Sequence, residues 1–385
     1  MVAVRLNVGE FFSRLMTFSR IHSNIPTHLP LFASLDMTMA DPHGILNLFG
    51  REILNMPFKK REVFINRAFE YWRKCRFPYP YLSTKEIKNE YYKVKNVNID
   101  NVLDGNMIKS SMIGLRLANY FHPQMWHLTA HNHKKSPVDH FNDDETLLKL
   151  LRKAFKFWPN RRCWNSQCLR SLLRIYSGGR VANFRPTAAK VIIDLFSNIG
   201  DTILDFCSGF GGRLLGALAL NRHYIGIDPS THQVGGLNMM YQKLKLYIKG
   251  TSEIHCDCAE DLMPHLDSES IDLIFTSPPY YNVERYCFEM NQSSHRYRTY
   301  NEWRKEFLRV VIFESKRLLR PKGYFIINVA NTYNYSIADD VKQIASSLFA
   351  FHSIVYLSMN AMPAHRVGGN KMYRCEPILI FQKAR

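Results

Sequence analysis

From Thr202 onward, the sequence alternates short apolar stretches with amphipathic ones, and this alternation restricts the possible folds more than any other feature. Seven stretches have the composition of buried strands. They are residues 202–206, 223–228, 253–258, 271–276, 324–329, 352–357 and 376–382. Helical periodicity occupies residues 213–220, 229–246, 301–320 and 338–349. This pattern predicts an α/β fold whose seven-stranded, mostly parallel sheet is covered by helices on both faces.

A glycine-rich turn joins the first predicted strand to the first predicted helix. Gly209, Gly211 and Gly212 fill this turn, where glycine lets the backbone approach a ligand closely and lets helix amides face it. The pattern is also typical of a dehydrogenase turn that binds a dinucleotide, or of tight packing between strand and helix. The turn therefore predicts a nucleotide-type cofactor without identifying it.

Acidic residues at the ends of the predicted strands extend this candidate cofactor site. Asp228 ends the second strand, 19 residues after Gly209, and its carboxylate can accept both hydroxyls of a ribose. Asp205 ends the first strand and is placed to meet a cofactor ammonium group directly or through water. At the third strand, either Asp257 or Cys258 is expected to contact an adenine, and the spacing favours Asp257.

The fourth predicted strand ends at Thr276, 63 positions after Arg213, and runs directly into Ser277-Pro278-Pro279-Tyr280. An amine on cytosine or adenine is a poor nucleophile because its lone pair is delocalised into the ring. The Ser277 hydroxyl and the Pro278 carbonyl can accept its hydrogens and favour a pyramidal nitrogen, while the two prolines fix the backbone. Tyr280 offers a ring on which an extruded base can stack. The alternative is a diproline turn that only ends a strand, with Tyr280 as ordinary packing.

A dinucleotide cofactor does not explain the Ser-Pro-Pro-Tyr turn. The two segments together predict S-adenosyl-L-methionine as the cofactor and transfer of its methyl group to an amine of a nucleic-acid base.

The charge of the chain is unevenly distributed. The formal net charge is +18; residues 1–180 carry 28 Lys and Arg against 14 Asp and Glu, and residues 181–385 carry 23 against 19. Residues 151–180 contain eight basic residues and no acidic one, interleaved with aromatic residues. Such a surface suits contacts with phosphates, so DNA is the expected partner. A generally basic, soluble surface is the alternative.

Three parts are predicted along the chain. Residues 1–35 are an extension that the pattern places poorly, and residues 36–180 form a basic, mainly helical DNA-recognition domain with helices at 61–74, 145–157 and 165–176. Residues 181–385 form the catalytic domain, after a hinge at 177–180. The histidines at 122 and 127–133 are interpreted as polar loop residues.

The eight cysteines include no C-x2-C pair, so no metal site is expected, and their scatter suits the reducing cytoplasm. The sequence contains no run of 18 apolar residues, so it predicts no membrane span.

These motifs resemble those of the DNA amino-methyltransferases, which methylate the N4 amine of cytosine or the N6 amine of adenine. Residues 205–213, including Cys207, look like the cofactor motif of that family, and residues 276–282 look like its catalytic motif. The resemblance implies a Rossmann-like class I methyltransferase fold. By the same resemblance, Phe184, Pro186 and Thr187 would line the cofactor pocket.

Serine in the first position of the tetrapeptide is commoner among the cytosine enzymes of that family, which favours cytosine N4 as the target. The order of the motifs departs from that of many cytosine members, so adenine N6 stays open. A methyltransferase acting on structured RNA, and a protein that keeps the fold but only binds DNA, also stay open.

Overall fold

The structure, a computed structural model, describes residues 57–129, 135–157, 165–178, 181–282, 286, 289–358, 366–367, 370–371 and 375–384. All of these residues belong to one compact unit. The predicted extension at 1–35, part of the predicted hinge at 177–180 and most of the histidines at 127–133 lie outside the described residues.

One large sheet dominates the described part of the chain. Its strands stand side by side in the order β1-β2-β8-β11-β7-β6-β3-β4-β5, and β9 pairs only with β10. The strands are β1 Leu103–Asp104, β2 Met107–Ile108, β3 Thr202–Asp205, β4 His223–Ile227, β5 Ser252–His255, β6 Ile271–Thr276, β7 Leu319–Asn328, β8 Ala350–Ser358, β9 Arg366–Val367, β10 Asn370–Lys371 and β11 Cys375–Gln382.

Strands β5, β4, β3, β6 and β7 pair in parallel, and β11 lies antiparallel between β7 and β8. These strands and β8 are the seven that the sequence predicts. The Rossmann-like α/β fold is therefore confirmed.

Helices connect and cover the strands. They are α1 Phe58–Cys75, α2 Thr84–Lys95, α3 Leu115–Tyr120, α4 Pro137–Asn142, α5 Asp144–Phe157, α6 Ser166–Tyr176, α7 Pro186–Phe196, α8 Gly212–Ala219, α9 Thr231–Leu244, α10 Ala259–Leu262, α11 Ser293–Arg296, α12 Arg309–Leu318 and α13 Ile337–Ser346. The pieces Tyr300–Glu302 and Trp303–Leu308, the second a π-helix, lead directly into α12. Short 3₁₀ turns occupy Ile99–Asn101, Pro123–His127, Lys245–Tyr247 and Met263–His265.

Two features of the sheet differ from the sequence-based expectation. The stretch Pro321–Gly323, which precedes the predicted strand at 324–329, lies inside β7, where Ile271 pairs with Leu319 but Leu273 pairs with Tyr324. The extra residues form an irregularity in which Lys322 has a φ of 65°. Propensity alone misplaces this strand start because pairing with β6 overrides the local preference of proline and glycine.

The N-terminal half also contributes strands, although it was predicted to be mainly helical. Strand β2 pairs in parallel with β8, so that β1 and β2 extend the large sheet at its edge. Hydrogen bonds, among them the following two, join this half to the helices beside the sheet. The Tyr91 hydroxyl donates to the Leu218 carbonyl at 3.4 Å, and Lys190 Nζ donates to the Lys95 carbonyl at 2.6 Å. The boundary near residue 180 stays a prediction.

The described core includes two extended clusters and a small third one. The first extended cluster lies between the sheet and helices α12 and α13, and contains Trp303, Phe325 and Phe381. The second lies among α1, α4, α5 and α6 and contains Trp72 and Leu173. Burial of these two apolar clusters stabilises the sheet half and the helical half. None of the described helices combines the length and the apolar character that crossing a membrane requires.

The segment just before α7 approaches the start of α8 so closely that glycine is required at Gly212. A Cβ atom built there would lie 1.9 Å from the carbonyl oxygen of Phe184. The close approach sets the distance between the Phe184 backbone and the start of α8. Both segments border the candidate site described below.

We therefore expect Gly212→Ala to lower the free energy of unfolding by about 1–3 kcal/mol or more, because backbone atoms must separate to admit the methyl group. Thermal unfolding measures the change. Gly200→Ala is the control: nothing lies within 4 Å of its added Cβ, and only its φ of 87° is unfavourable. A Gly212→Ala protein that melts at the wild-type temperature would contradict the close approach.

Candidate active site

The sequence-predicted cofactor and catalytic segments meet around one cavity of about 510 Å³ at the carboxyl edge of the parallel strands. Parallel strands place their carboxyl ends on one edge, where ligands of open α/β sheets bind. Of the predicted residues, those that line the cavity are Phe184, Cys207, Gly209, Asp228, Ser277, Pro278, Pro279 and Tyr280. Those that do not line it are Pro186, Thr187, Asp205, Gly211, Gly212 and Asp257.

The glycine turn between β3 and α8 forms one wall of the cavity. Gly209 and Gly211 have φ values of 56° and 76°, in the left-handed region that glycine adopts without strain. Gly211 is the residue before the first turn of α8, so the turn directs the start of this helix toward the cavity. This backbone geometry suits the predicted role of the turn, which is a close approach to a ligand. The role itself stays a prediction.

Asp228 follows β4 and is almost fully buried beside the glycine turn. Its Oδ2 accepts a hydrogen bond from the Gly209 amide at 2.8 Å, and its Oδ1 accepts one from the Ser230 amide at 3.0 Å. Burial raises the pKa of Asp228 to about 7, against the lowering effect of these two amides. The carboxylate is thus held in place, with its remaining lone pairs available to hydroxyl donors.

Asp205 lies beneath the cavity and not in its wall. Its carboxylate is fully buried and accepts hydrogen bonds from Arg213 Nε at 2.7 Å, the Tyr224 hydroxyl at 2.7 Å and the Thr276 hydroxyl at 2.9 Å. These partners hold the carboxylate at the strand ends. The structure places Asp205 outside the cavity wall, and the expected meeting with a cofactor ammonium group, directly or through water, stays a prediction.

The third strand end presents Cys258 to the cavity and leaves Asp257 exposed. Asp257 Oδ1 accepts a hydrogen bond from the Cys258 amide at 2.8 Å. Burial raises the pKa of the Cys258 thiol to about 11, and its Sγ donates to the carbonyl of Asn291 at 3.4 Å. Of the two residues that the spacing left open, the cavity is bordered by Cys258, and the favoured Asp257 is turned away.

The segment before the first strand reaches the cavity through Phe184. The Phe184 ring packs edge-on against Phe275, with centroids 5.4 Å apart. Pro186 begins α7 and is buried, as is Thr187, whose hydroxyl has no hydrogen-bond partner among the described residues. This segment therefore contributes one lining side chain, and two of its three predicted residues support it from behind.

The Ser-Pro-Pro-Tyr turn forms the opposite wall of the cavity. The Ser277 hydroxyl donates to Oδ1 of Asn328 at 3.5 Å, and Nδ2 of Asn328 donates to the Pro377 carbonyl at 3.1 Å. The Tyr280 hydroxyl accepts a hydrogen bond from the Ala330 amide at 3.1 Å. The last residue of β7 and the backbone just after it thus hold the two ends of the tetrapeptide.

Sequence reasoning missed several lining residues. Asn328 ends β7, where its place at a strand end was a usable signal. Glu376, Arg174 and Glu260 carried no local signal, because only the fold brings them to the cavity. Glu260 is largely buried, which raises its pKa; it accepts a hydrogen bond from the Tyr297 hydroxyl at 2.7 Å.

His122 corrects the interpretation of the histidines as polar loop residues. Its ring is fully buried and packs edge-on against Phe210, which lines the cavity. Burial lowers the pKa of His122 to about 3, so the ring is neutral at physiological pH. His122 is therefore a core residue behind the glycine turn.

One group of possible metal ligands lies within the described part of the chain. The ligand atoms of Asp257, Cys258 and Asp261 are within 4.8 Å of one another. Arg296 Nη1 is 2.6 Å from Asp261 Oδ2, so a cation already neutralises part of this group. The expectation of no metal site stays a prediction.

The cavity fits the expected cofactor on two observations. Asp228 holds a carboxylate for ribose hydroxyls, and buried polar atoms of Asn291 and Gln292 have no partner among the described residues. All three residues line the cavity. A nucleoside with hydroxyl and amine groups would satisfy such polar atoms.

Comparison with known families finds a match in the C-terminal part of the chain. Residues 271–385 match the N6/N4 methyltransferase family model, described as DNA methylase. The match includes the Ser-Pro-Pro-Tyr turn and confirms the resemblance to the DNA amino-methyltransferases over these residues. It also confirms S-adenosyl-L-methionine, the methyl donor of that family, as the cofactor. No curated protein matches the chain.

Solved structures resemble about half of the chain. TrmN from Thermus thermophilus is 15% identical over 51% of this chain and 48% of its own, with a TM-score of 0.36. A SAM-dependent O-methyltransferase from Thermotoga maritima is 13% identical over 54% of this chain and 68% of its own, with a TM-score of 0.37. A putative rRNA methylase from Clostridium thermocellum is 12% identical over 53% of this chain and 99% of its own, with a TM-score of 0.35. These scores are too low to bear on the substrate.

The pKa of Asp228 predicts a pH-dependent affinity for S-adenosylhomocysteine. The ionised carboxylate accepts hydroxyl hydrogens better than the neutral acid, so affinity should rise several-fold from about pH 6 to about pH 8, across the pKa of about 7. Asp228→Asn should bind more weakly and show no such rise. Isothermal titration calorimetry measures both.

Asp257→Asn is the matched control, because Asp257 is exposed and does not line the cavity. The same pKa also affects stability: folded Asp228 keeps its proton above the ordinary value of 3.8, so its contribution to the free energy of unfolding falls as the pH rises from about 4 to about 7. A wild-type affinity that is flat between about pH 6 and about pH 8 would contradict the ribose-binding role.

Proposed function

We propose that this protein is a DNA methyltransferase that transfers a methyl group from S-adenosyl-L-methionine to the exocyclic N4 amine of cytosine. One observation carries the proposal: the Ser-Pro-Pro-Tyr turn, Gly209 and Asp228 line the same cavity. An amine held at the turn and a cofactor held at the glycine turn would share one enclosed space. Alignment of the two reacting groups is a large part of what such an enzyme supplies.

The contacts of Ser277 suit it to hold the hydrogens of an amine. Asn328 is oriented by its bond to the Pro377 carbonyl, so its Oδ1 faces the Ser277 hydroxyl. A hydroxyl that donates its hydrogen to Asn328 keeps its lone pairs available as acceptors. Together with the Pro278 carbonyl, these lone pairs favour a pyramidal amine whose own lone pair is directed away from them.

When bound, S-adenosyl-L-methionine supplies an electrophilic methyl group to the amine nitrogen. The residues of the turn hold that nitrogen by accepting hydrogen bonds from its N–H groups. No covalent nucleophile of the chain is needed. The prolines contribute rigidity, since neither can donate a hydrogen bond from its backbone nitrogen.

Tyr280 provides a surface for a base that has left its helix. Its ring lines the cavity, and its hydroxyl is held by the Ala330 amide. A base inside a duplex is out of reach of such a cavity, so the target would have to be extruded or single-stranded. Stacking on a fixed aromatic ring offsets part of the cost of leaving the base stack.

Features outside the catalytic turn support a polynucleotide substrate. Arg174 of α6 lines the cavity, is exposed, and makes no ion pair with any described residue. Tyr333, in the loop after β7, is completely exposed. A cation and an aromatic ring near the same sheet edge suit a phosphate and a base, respectively.

The basic segment 151–180 contributes fewer free cations than its sequence indicates. Arg152 pairs with Glu62 at 3.0 Å, and Arg170 is largely buried, donating to the Pro78 carbonyl at 2.7 Å. Arg174 is therefore the described arginine of this segment best placed for a phosphate. The choice of cytosine over adenine rests on Ser277 in the first position of the tetrapeptide.

Identification of the methylated nucleoside tests the proposal. The protein is incubated with isotope-labelled S-adenosyl-L-methionine and either duplex DNA or structured RNA, and the nucleic acid is digested to nucleosides for mass spectrometry. We expect label in N4-methyldeoxycytidine, because Ser277 favours the cytosine amine. A protein with Ser277 and Tyr280 both changed to Ala is the control.

Label in N6-methyldeoxyadenosine would replace cytosine by adenine and keep the rest of the mechanism. Label only in RNA would remove DNA as the substrate. Binding of DNA without any label would mean that the fold is retained for binding alone.

Tyr280 separates base binding from cofactor binding. We expect Tyr280→Ala to lower turnover by about 5- to 100-fold, because stacking on the base is worth about 1–3 kcal/mol, and to leave the affinity for S-adenosylhomocysteine near normal. Tyr280→Phe keeps the ring and loses only the bond to the Ala330 amide, so its turnover should fall less. Steady-state kinetics and calorimetry measure the two effects. Loss of cofactor binding in Tyr280→Ala would place this residue in the cofactor site instead.

A further inference from the structure

Two amide side chains in the segment after the catalytic turn have buried polar atoms with no hydrogen-bond partner among the described residues. They are Oδ1 of Asn291 and Nε2 of Gln292. Both residues line the cavity. Buried polar groups of folded proteins are almost always hydrogen-bonded, so an unpaired acceptor beside an unpaired donor indicates a ligand that supplies both partners.

The orientation of the Asn291 amide follows from its own contact. Its Nδ2 donates to the carbonyl of Pro229 at 2.6 Å, and a carbonyl can only accept. The free atom is therefore the oxygen, an acceptor. The backbone carbonyl of Asn291 accepts from Cys258 Sγ at 3.4 Å, which fixes the residue at a second point.

Gln292 is the residue before the first turn of α11, but its side chain does not cap that helix. The helix start is instead held by the backbone, where the Gln292 carbonyl accepts from the His295 amide at 2.8 Å. The side-chain amide is consequently available to the cavity, and its buried nitrogen is a donor.

These two amides lie at the nucleoside end of the cavity. Pro229, which orients Asn291, directly follows Asp228, the residue that suits ribose hydroxyls. Cys258, which contacts the Asn291 backbone, lies just after β5, where the sequence predicts an adenine contact. The exposed position of Asp257 leaves that contact without a side-chain acceptor from the strand itself.

We infer that Asn291 and Gln292 recognise the adenine base of the cofactor: Asn291 Oδ1 accepts a hydrogen from its 6-amino group, and Gln292 Nε2 donates to its N1. The inference deepens the proposed function and rests on its use of S-adenosyl-L-methionine in this cavity. The residues come from the insertion after the Ser-Pro-Pro-Tyr turn and not from the strand ends. The segment next to the catalytic turn thus also selects the cofactor.

Ligand analogues test this pairing without any change to the protein. Adenine offers a donor at its 6-position and an acceptor at N1, whereas hypoxanthine offers an acceptor and a donor, so both bonds become mismatched. We expect wild-type protein to bind S-inosylhomocysteine at least about 30-fold more weakly than S-adenosylhomocysteine. An analogue with hydrogen in place of the 6-amino group, which tests Asn291 alone, should bind about 5- to 10-fold more weakly.

A variant assigns the N1 contact. Gln292→Leu should weaken binding of S-adenosylhomocysteine by about 10-fold. It should also lower the ratio of the affinity for S-adenosylhomocysteine to that for S-inosylhomocysteine by a similar factor. Gln167→Leu, the same change at an exposed position of α6, should match the wild type for both ligands. Calorimetry gives the affinities, and thermal unfolding checks that Gln292→Leu is folded. Asn291 is left unchanged because its amide also holds Pro229.

Equal wild-type affinities for the adenosyl and inosyl ligands would overturn the inference, with or without a folded variant. It would also be overturned if Gln292→Leu kept its cofactor affinity and instead lost affinity for DNA, since the amides would then face the target base. If the protein prefers S-adenosylhomocysteine over S-inosylhomocysteine but methylates no nucleic acid, the inference is supported and the proposed function is contradicted. The two failures are thereby distinguishable.

Discussion

The buried carboxylate of Asp205 is the contact on which the site depends. It accepts hydrogen bonds from Arg213 at the start of α8, Tyr224 on β4 and Thr276 at the end of β6. One side chain of β3 thus joins three other elements at the edge where the cavity lies. Loss of one partner of a buried ion pair costs about 3–5 kcal/mol, because it leaves a charge without compensation.

Both walls of the cavity take their positions from this network. Thr276 directly precedes Ser277, so the bond to Asp205 sets where the Ser-Pro-Pro-Tyr turn begins. Arg213 also donates to the carbonyl of Cys207, which holds the glycine turn on the other side. The cofactor wall and the catalytic wall are therefore held by the same buried carboxylate. The distance between them is set by this hydrogen-bond network.

Much of the fold was predictable, whereas the roles of individual polar residues were less so. The seven strands of the catalytic half follow from apolar periodicity, which local composition carries. Strand pairing is non-local, so neither the extension of the sheet by β1 and β2 nor the inclusion of Pro321–Gly323 in β7 could be found. Asp205 had the residue type and position of a ligand; only its three partners show that its carboxylate is held at the strand ends.

The sequence by itself determined the two motifs, their order along an α/β chain, and the meeting of both at the carboxyl edge of the strands. Chain direction and glycine or proline stereochemistry suffice for these conclusions. Tertiary structure alone decided which polar atoms face the cavity. It turned Cys258 inward and Asp257 outward, and it left one Asn291 oxygen unpaired among the residues that the structure describes. Hydrogen-bond satisfaction depends on partners far apart in the chain, and sequence spacing does not record them.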